Sequence, residues 1–318
     1  MNKKQTLLTL GAILIVAGII VASLLYAAEE EEDGKLQVTA TFYPLAFYAG
    51  EIGGEHVTVE TLIPANSEIH SWQPSTSDIV KVDDSDVLVY NGGGADHWFE
   101  DDILPSISTG NKVVIESTDG LELLVKGEEG HDHGDEGHDH GDEDFDPHTW
   151  ISPYMALGQA ENIYKGLIEA DPEHETEYKE NWLDLKQQLE ALDSSYSQNL
   201  STKNKSLIFT NHAAFGYLAH RYDFQQEGVI GLSADEQPSA STIANLADHM
   251  EEEGIFTIFV DPVYSDNYAQ TLKNEVEDQT GQTVTVLELY FMLGKIDGMD
   301  LFQQMESNLE QLKIGLEA

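Results

Sequence analysis

Residues 171–199 read DPEHETEYKENWLDLKQQLEALDSSYSQN. Asp171-Pro172 has the form of an N-cap followed by proline in the first helical position. Beyond it Tyr178, Trp182, Leu185, Leu189, Leu192 and Tyr196 recur at intervals of four and three, which puts them on one face of a single helix. From Pro172 to Asn199 that helix is on the order of 40 Å long, at ~1.5 Å per residue. A helix of this length with a single apolar stripe is a stiff connector, and the sequence on either side shows what it connects.

On the N-terminal side, short β-branched runs at 36–41, 57–63, 87–90 and 112–115 alternate with helical stretches near 44–52, 75–82 and 97–104. On the C-terminal side the alternation repeats, with strands expected near 207–210, 227–232, 256–260 and 283–289 and helices near 213–222, 239–253, 266–280 and 300–316. Strand and helix alternating at this spacing imply parallel sheets covered on both faces. The expected fold class is therefore α/β: two parallel-sheet lobes joined by one long rigid backbone helix, with a cleft between them. The expected divisions are a membrane anchor or signal segment at 1–34, the N-terminal lobe at 35–126 and a His/Asp-rich flexible loop at 127–145. The end of the first lobe follows at 146–171, then the linking helix at 172–200 and the C-terminal lobe at 201–318. Ligands of such sheets sit beyond the carboxyl ends of the strands.

Composition narrows the function. Asp and Glu number 59 against 15 Lys and Arg, a formal charge of −44, so nucleic-acid phosphate is repelled and a cation is the ligand left open. With no cysteine there are no disulfides, thiolate metal sites, cysteine nucleophiles or lipid-bearing cysteine. Residues 7–28 are almost wholly apolar, follow Lys3 and Lys4 and precede the acidic run 29–33. That length spans ~30 Å of hydrocarbon as a helix, and the positive-inside rule leaves the body of the protein outside the cytoplasmic membrane. Small residues at Ala22, Ala27 and Ala28 also permit cleavage; retention as an anchor is the preferred reading.

The cation chemistry is carried by histidine. Residues 131–144 form a tandem repeat, HDHGDEG then HDHGDED, with no large apolar residue, which builds no core of its own. Three other histidines sit where a strand ends or a loop begins: His70 after the second strand, His148 in Asp146-Pro147-His148, and His212 after the strand at 207–210. If the two sheets face each other, these loops converge on the cleft. Neutral imidazoles are good ligands for a borderline-soft divalent cation at ~2.0–2.1 Å, and a carboxylate completes a tetrahedron. Glu288, at the end of the last strand, is the candidate carboxylate. Asn91-Gly92-Gly93-Gly94 follows a strand but lacks the Lys-Ser/Thr pair of a phosphate loop, so it is read as a tight turn.

Several of these segments, in this order, resemble the metal-binding proteins of ATP-driven zinc and manganese uptake systems, a family of extracytoplasmic solute-binding proteins. IHSWQPSTSDI resembles the family's first-histidine motif, DPHTWISP its second and TNHAAFGYLAHRY its third, which implies that His70, His148 and His212 are metal ligands. GLSADEQPSASTIANL and IFVDPVYSD are similar to the family's second lobe. One segment departs from the pattern. Where the family has an aspartate within a Leu-Asp-Pro-Leu type segment, this chain reads Leu287-Glu288-Leu289-Tyr290, with Asp261 as the fallback carboxylate. Three imidazoles imply Zn2+, with Mn2+ the alternative because manganese members commonly carry a carboxylate in place of the third histidine. Binding weakens in acid, since the histidines must be deprotonated to ligate.

The resemblance implies a non-enzymatic receptor that delivers zinc to an ABC permease and its cytoplasmic ATPase, acting as a monomer held to the membrane by its N-terminal helix. The alternatives from other classes are a zinc-dependent hydrolase, disfavoured because no general base is evident beside the histidines, and a surface metal buffer or adhesin. Removing residues 130–143 is expected to leave tight zinc binding intact in a calorimetric titration; collapse of that binding would place the ligands in the repeat instead.

Overall fold

The computed structural model describes residues 34–125, 145–232 and 237–318. The expected N-terminal membrane segment and almost all of the His/Asp-rich loop lie outside the described residues.

Two four-stranded, wholly parallel sheets form the frame. The first is built from β1 (Leu36–Ala40), β2 (Val57–Thr61), β3 (Val87–Tyr90) and β4 (Val113–Glu116), in the order β2-β1-β3-β4. The second uses β5 (Leu207–His212), β6 (Gln225–Ile230), β7 (Thr257–Val260) and β8 (Thr285–Glu288), in the order β6-β5-β7-β8. Each sheet reverses its winding direction beside its first strand, so both present a switch-point crevice at their carboxyl edges. β3 and β5 are buried along their whole length, as expected of strands covered on both faces.

Helices α1 (Tyr43–Gly53), α2 (Thr76–Asp83) and α3 (Pro153–Ala170) belong to the first sheet, and α5 (Gly216–Tyr222), α6 (Ala240–Glu253), α7 (Asn267–Thr280) and α8 (Leu301–Gly315) to the second. Between the lobes runs α4 (Glu175–Asn199), preceded by a 3-10 turn at Pro172–His174. Its buried residues are Tyr178, Trp182, Leu185, Leu189, Leu192 and Tyr196, the stripe expected from the spacing. Asp171 makes no side-chain cap; its Oδ2 accepts instead from His174 Nδ1 at 2.6 Å and Tyr178 Oη at 2.8 Å.

α4 holds both lobes with different residues of the same face. Trp182 stacks on Tyr164 of α3, and Asn181 donates to the Ile52 carbonyl of α1 at 3.0 Å. Fifteen residues further on, Tyr196 stacks on Tyr222 of α5 and donates to the Met305 carbonyl of α8 at 2.6 Å. One continuous apolar cluster consequently takes in the first lobe, α4 and the near side of the second lobe, while α6 and α7 enclose a separate cluster on the far side.

Three local expectations are corrected. The 97–104 stretch is a short π-helix, Phe99–Ile103, rather than an α-helix. β5 continues to His212, and its following helix begins only at Gly216. The whole of α3 was not foreseen within 146–171. Gly158 and Gly166 interrupt its apolar period because Leu121 and Ile115 press against those positions, leaving no room for a Cβ.

Leu189, fully buried on α4, tests the stripe. Leu189→Ala is expected to cost about 2–5 kcal/mol of unfolding free energy, measured by urea denaturation with the m-value unchanged.

Candidate metal centre

The three expected histidines meet at the carboxyl edges of the sheets. His70 comes from the loop after β2, His148 from the segment leading into α3 and His212 from the last position of β5. His148 Nε2 lies 3.1 Å from His70 Nε2 and 3.2 Å from His212 Nε2. Two nitrogens bound at ~2.0–2.1 Å to a tetrahedral ion are roughly 3.3–3.4 Å apart, so the spacing is close to one edge of a zinc tetrahedron. Among the described residues these three are the group whose ligand atoms all lie within 4.8 Å of one another.

Each ring is oriented by its surroundings. Asp146, buried, accepts from the His148 backbone N–H at 2.9 Å and from His148 Nδ1 at 2.8 Å, both on Oδ1. An Nδ1–H directed at a carboxylate leaves Nε2 as the lone-pair donor, the usual second partner of a zinc-binding imidazole. Burial, followed by the neighbouring His148 and His70, holds His212 well below the usual imidazole value of 6.5, so it stays neutral and able to ligate.

The backbone around His148 is carried by the Asn91 turn. Asp96, buried, accepts from the Asn91 and Gly92 amides at 2.7 and 3.0 Å and from Thr41 Oγ1 at 2.6 Å. Burial pushes its carboxyl up to about 6. Gly92, Gly93 and Gly94 all take positive φ, and a Cβ on Gly92 would sit 2.7 Å from Thr118 Oγ1, so the glycine run is a tight turn around a carboxylate. Asn91 Nδ2 then donates to the Pro147 carbonyl at 3.3 Å, while its Oδ1 accepts from Thr149 Oγ1 and from Gln159 Nε2 of α3. The loop before His148 is closed at its base as well. Val125 bridges Phe145, and Tyr217 Oη donates to the Asp146 carbonyl at 2.7 Å while accepting from the Leu124 amide.

The expected carboxylates do not join the histidines. Glu288 is exposed, and its Oε2 accepts from Tyr290 Oη at 2.9 Å. β8 ends at Glu288, and the chain turns into the interior only at Leu289, which is fully buried. Asp261 is buried, but its oxygens accept from the Val263 and Phe291 amides, both at 2.7 Å. Its carboxyl, pushed up to about 6 chiefly by burial, serves to hold the loop after β8.

The cavity at the histidines is lined instead by Glu68, Trp150, Tyr264, Phe291 and Leu293, among others. That loop after β8 is drawn across to the first lobe: Trp150 Nε1 donates to the Phe291 carbonyl at 2.8 Å and the Asn66 amide to the Leu293 carbonyl at 2.9 Å. Met292, between those two residues, takes φ 59, a strained conformation for a large side chain. Sequence reasoning missed Glu68 and Asp146, although each stands two residues before one of the clustered histidines. The remaining described histidines lie elsewhere: His56 and His174 stack on each other, His249 pairs with Glu227, and His97 and His220 are exposed.

Comparison with known proteins agrees with this geometry. The family described as zinc-uptake complex component A, periplasmic, matches residues 38–315. The high-affinity zinc uptake system protein ZnuA of Bacillus subtilis is 33% identical over 303 residues, covering 95% of this chain and 94% of that protein. The zinc-binding lipoprotein AdcA of Streptococcus pneumoniae serotype 4 is 33% identical over 291 residues, covering 90% of this chain but 56% of AdcA. The crystal structure of the Zn(II)-bound ZnuA-like domain of Streptococcus pneumoniae AdcA superposes with a TM-score of 0.73 at 28% identity, covering 90% of this chain and 100% of that one.

Asp146→Asn removes the anionic acceptor of His148 Nδ1 and is expected to weaken zinc binding roughly 10–100-fold, read by competition with a chelator of known affinity.

Proposed function

This chain belongs to the zinc-uptake complex component A family, and we propose that it captures Zn2+ outside the cytoplasmic membrane with His70, His148 and His212 and delivers it to an ABC permease. The observation that carries the reading is the spacing of the three Nε2 atoms about His148, at 3.1 and 3.2 Å. Three imidazoles select a borderline-soft ion, which favours Zn2+ over Mn2+.

The family is one of binding receptors and not of enzymes, and its zinc-uptake relatives place the protein outside the cytoplasm. Zinc is accordingly cargo. Because His70 and His148 stand on one lobe and His212 on the other, a small movement of the lobes pulls the ligands apart and releases the ion. The lobes that move are residues 35–126 with 146–171 and residues 201–318, and the helix 172–200 limits the movement to a small amplitude. The permease is driven by a cytoplasmic ATPase, and residues 7–28 hold the receptor at the membrane. It works as a monomer.

The His/Asp-rich segment, with imidazoles and carboxylates in a tandem repeat, gathers ions weakly. In sequence it is followed by Phe145 and then Asp146, whose carboxylate meets His148 Nδ1. Calorimetry tests the whole reading: the double variant His148→Ala, His212→Ala is expected to lose tight zinc binding, and unchanged affinity would overturn the assignment.

A further inference from the structure

We propose that Glu68 supplies the fourth, carboxylate ligand to the zinc ion and that Tyr264, reaching from the opposite lobe, carries it. This rests on the histidine assignment proposed above and deepens it.

Glu68 and Tyr264 line the same cavity as the three histidines, and Glu288 and Asp261 do not. Glu68 also stands in a local arrangement that recurs at the other first-lobe ligand. In Asp146-Pro147-His148 the acid accepts from the backbone N–H of the histidine two residues on, at 2.9 Å. In Glu68-Ile69-His70 the acid does the same, Oε1 accepting from His70 N–H at 2.9 Å. The two acids differ by one methylene. Aspartate is short, so its oxygen meets its own histidine's Nδ1 at 2.8 Å and orients that ring from behind. Glutamate reaches further, and its carboxylate extends to the hydroxyl of Tyr264 across the cleft.

The chemistry of the donor set asks for such a group. Three neutral imidazoles leave one position of a zinc tetrahedron open, and a single carboxylate fills it while taking one positive charge off the ion. Glu68 is half-buried and borders the pocket that the three histidines enclose. Tyr264 sits four residues after β7 and packs on Phe291, ring centroids 5.4 Å apart, so it is fixed to the second lobe. A carboxylate held between a first-lobe histidine amide, a second-lobe hydroxyl and the metal closes the cleft over the ion. Opening the lobes removes the hydroxyl and weakens the ligand at the moment of release.

The test titrates the purified full chain with Zn2+ against a competing chelator and records the visible spectrum of the Co2+-loaded protein, whose bands report donor set and coordination number. Glu68→Gln keeps an oxygen to accept from His70 N–H and from Tyr264, so metal-free melting serves as the control for folding. The expected result is a loss of zinc affinity of about tenfold or more with an altered cobalt spectrum, a smaller loss for Tyr264→Phe with the spectrum kept, and parental behaviour for Glu288→Gln. Parental affinity in Glu68→Gln overturns the proposal, as does weakened affinity with an unchanged cobalt spectrum, which would make Glu68 only a positioning residue. These results are distinct from failure of the histidine assignment, which shows as tight zinc binding in the His148→Ala, His212→Ala variant.

Discussion

Three ring nitrogens from residues 70, 148 and 212 have to meet at one point, and much of the fold can be understood as the means of holding them there. Imidazole nitrogens brought to 3.1 and 3.2 Å from His148 Nε2 leave water and lose side-chain freedom. The chain offsets this locally. Asp146 fixes one ring, burial keeps another neutral, and the Asn91 turn anchors the backbone of the segment that delivers His148. Asn91 in turn depends on Asp96, whose carboxylate gathers two amides and a threonine hydroxyl in the interior. A buried polar network of this kind favours one geometry because each member is costly to leave unpaired.

The second requirement is that the two lobes share a frame without fusing. α4 supplies it, its near end bonded to α1 and α3 and its far end to α5 and α8. At the mouth of the cleft the contacts are of a different kind. Trp150 to Phe291, Asn66 to Leu293 and Tyr217 to Asp146 are single hydrogen bonds. Gly294 lets the β8 loop approach Asn66 so closely that a Cβ there would lie 2.6 Å from its Oδ1. The lobes are thus joined by a packed helix at the back and by a few hydrogen bonds at the front.

The site also shows how one topology repeated twice yields an asymmetric result. Both sheets have the same strand order, yet His70 and Glu68 come from the loop after the second strand of one, while His212 is the last residue of the first strand of the other. The third histidine belongs to neither switch point; it arrives on the segment that leaves the His/Asp-rich loop. The histidine cluster therefore draws on three separate stretches of chain, so it forms only when both lobes are in place.

The spacing of apolar residues at 178–196, the alternation of strands and helices and the positions of three loop or strand-end histidines were enough to determine, from sequence alone, the α/β class and the connecting helix and to single out the three histidines that the fold brings together. These are local signals, because periodicity and strand ends are properties of neighbouring residues. The helix α3 was hidden because its glycines answer to side chains on distant segments. The surroundings of Glu288 were hidden for a similar reason: in sequence it ends a strand, and only the tertiary structure shows it exposed and bonded to Tyr290 rather than beside the histidines. Glu68 could be singled out only once the fold had set it beside His70 and opposite Tyr264, a residue from the other lobe. Which residue types bind the ion is written in the chain; which acid faces them depends on packing between parts of the chain far apart in sequence, and that only the tertiary structure decides.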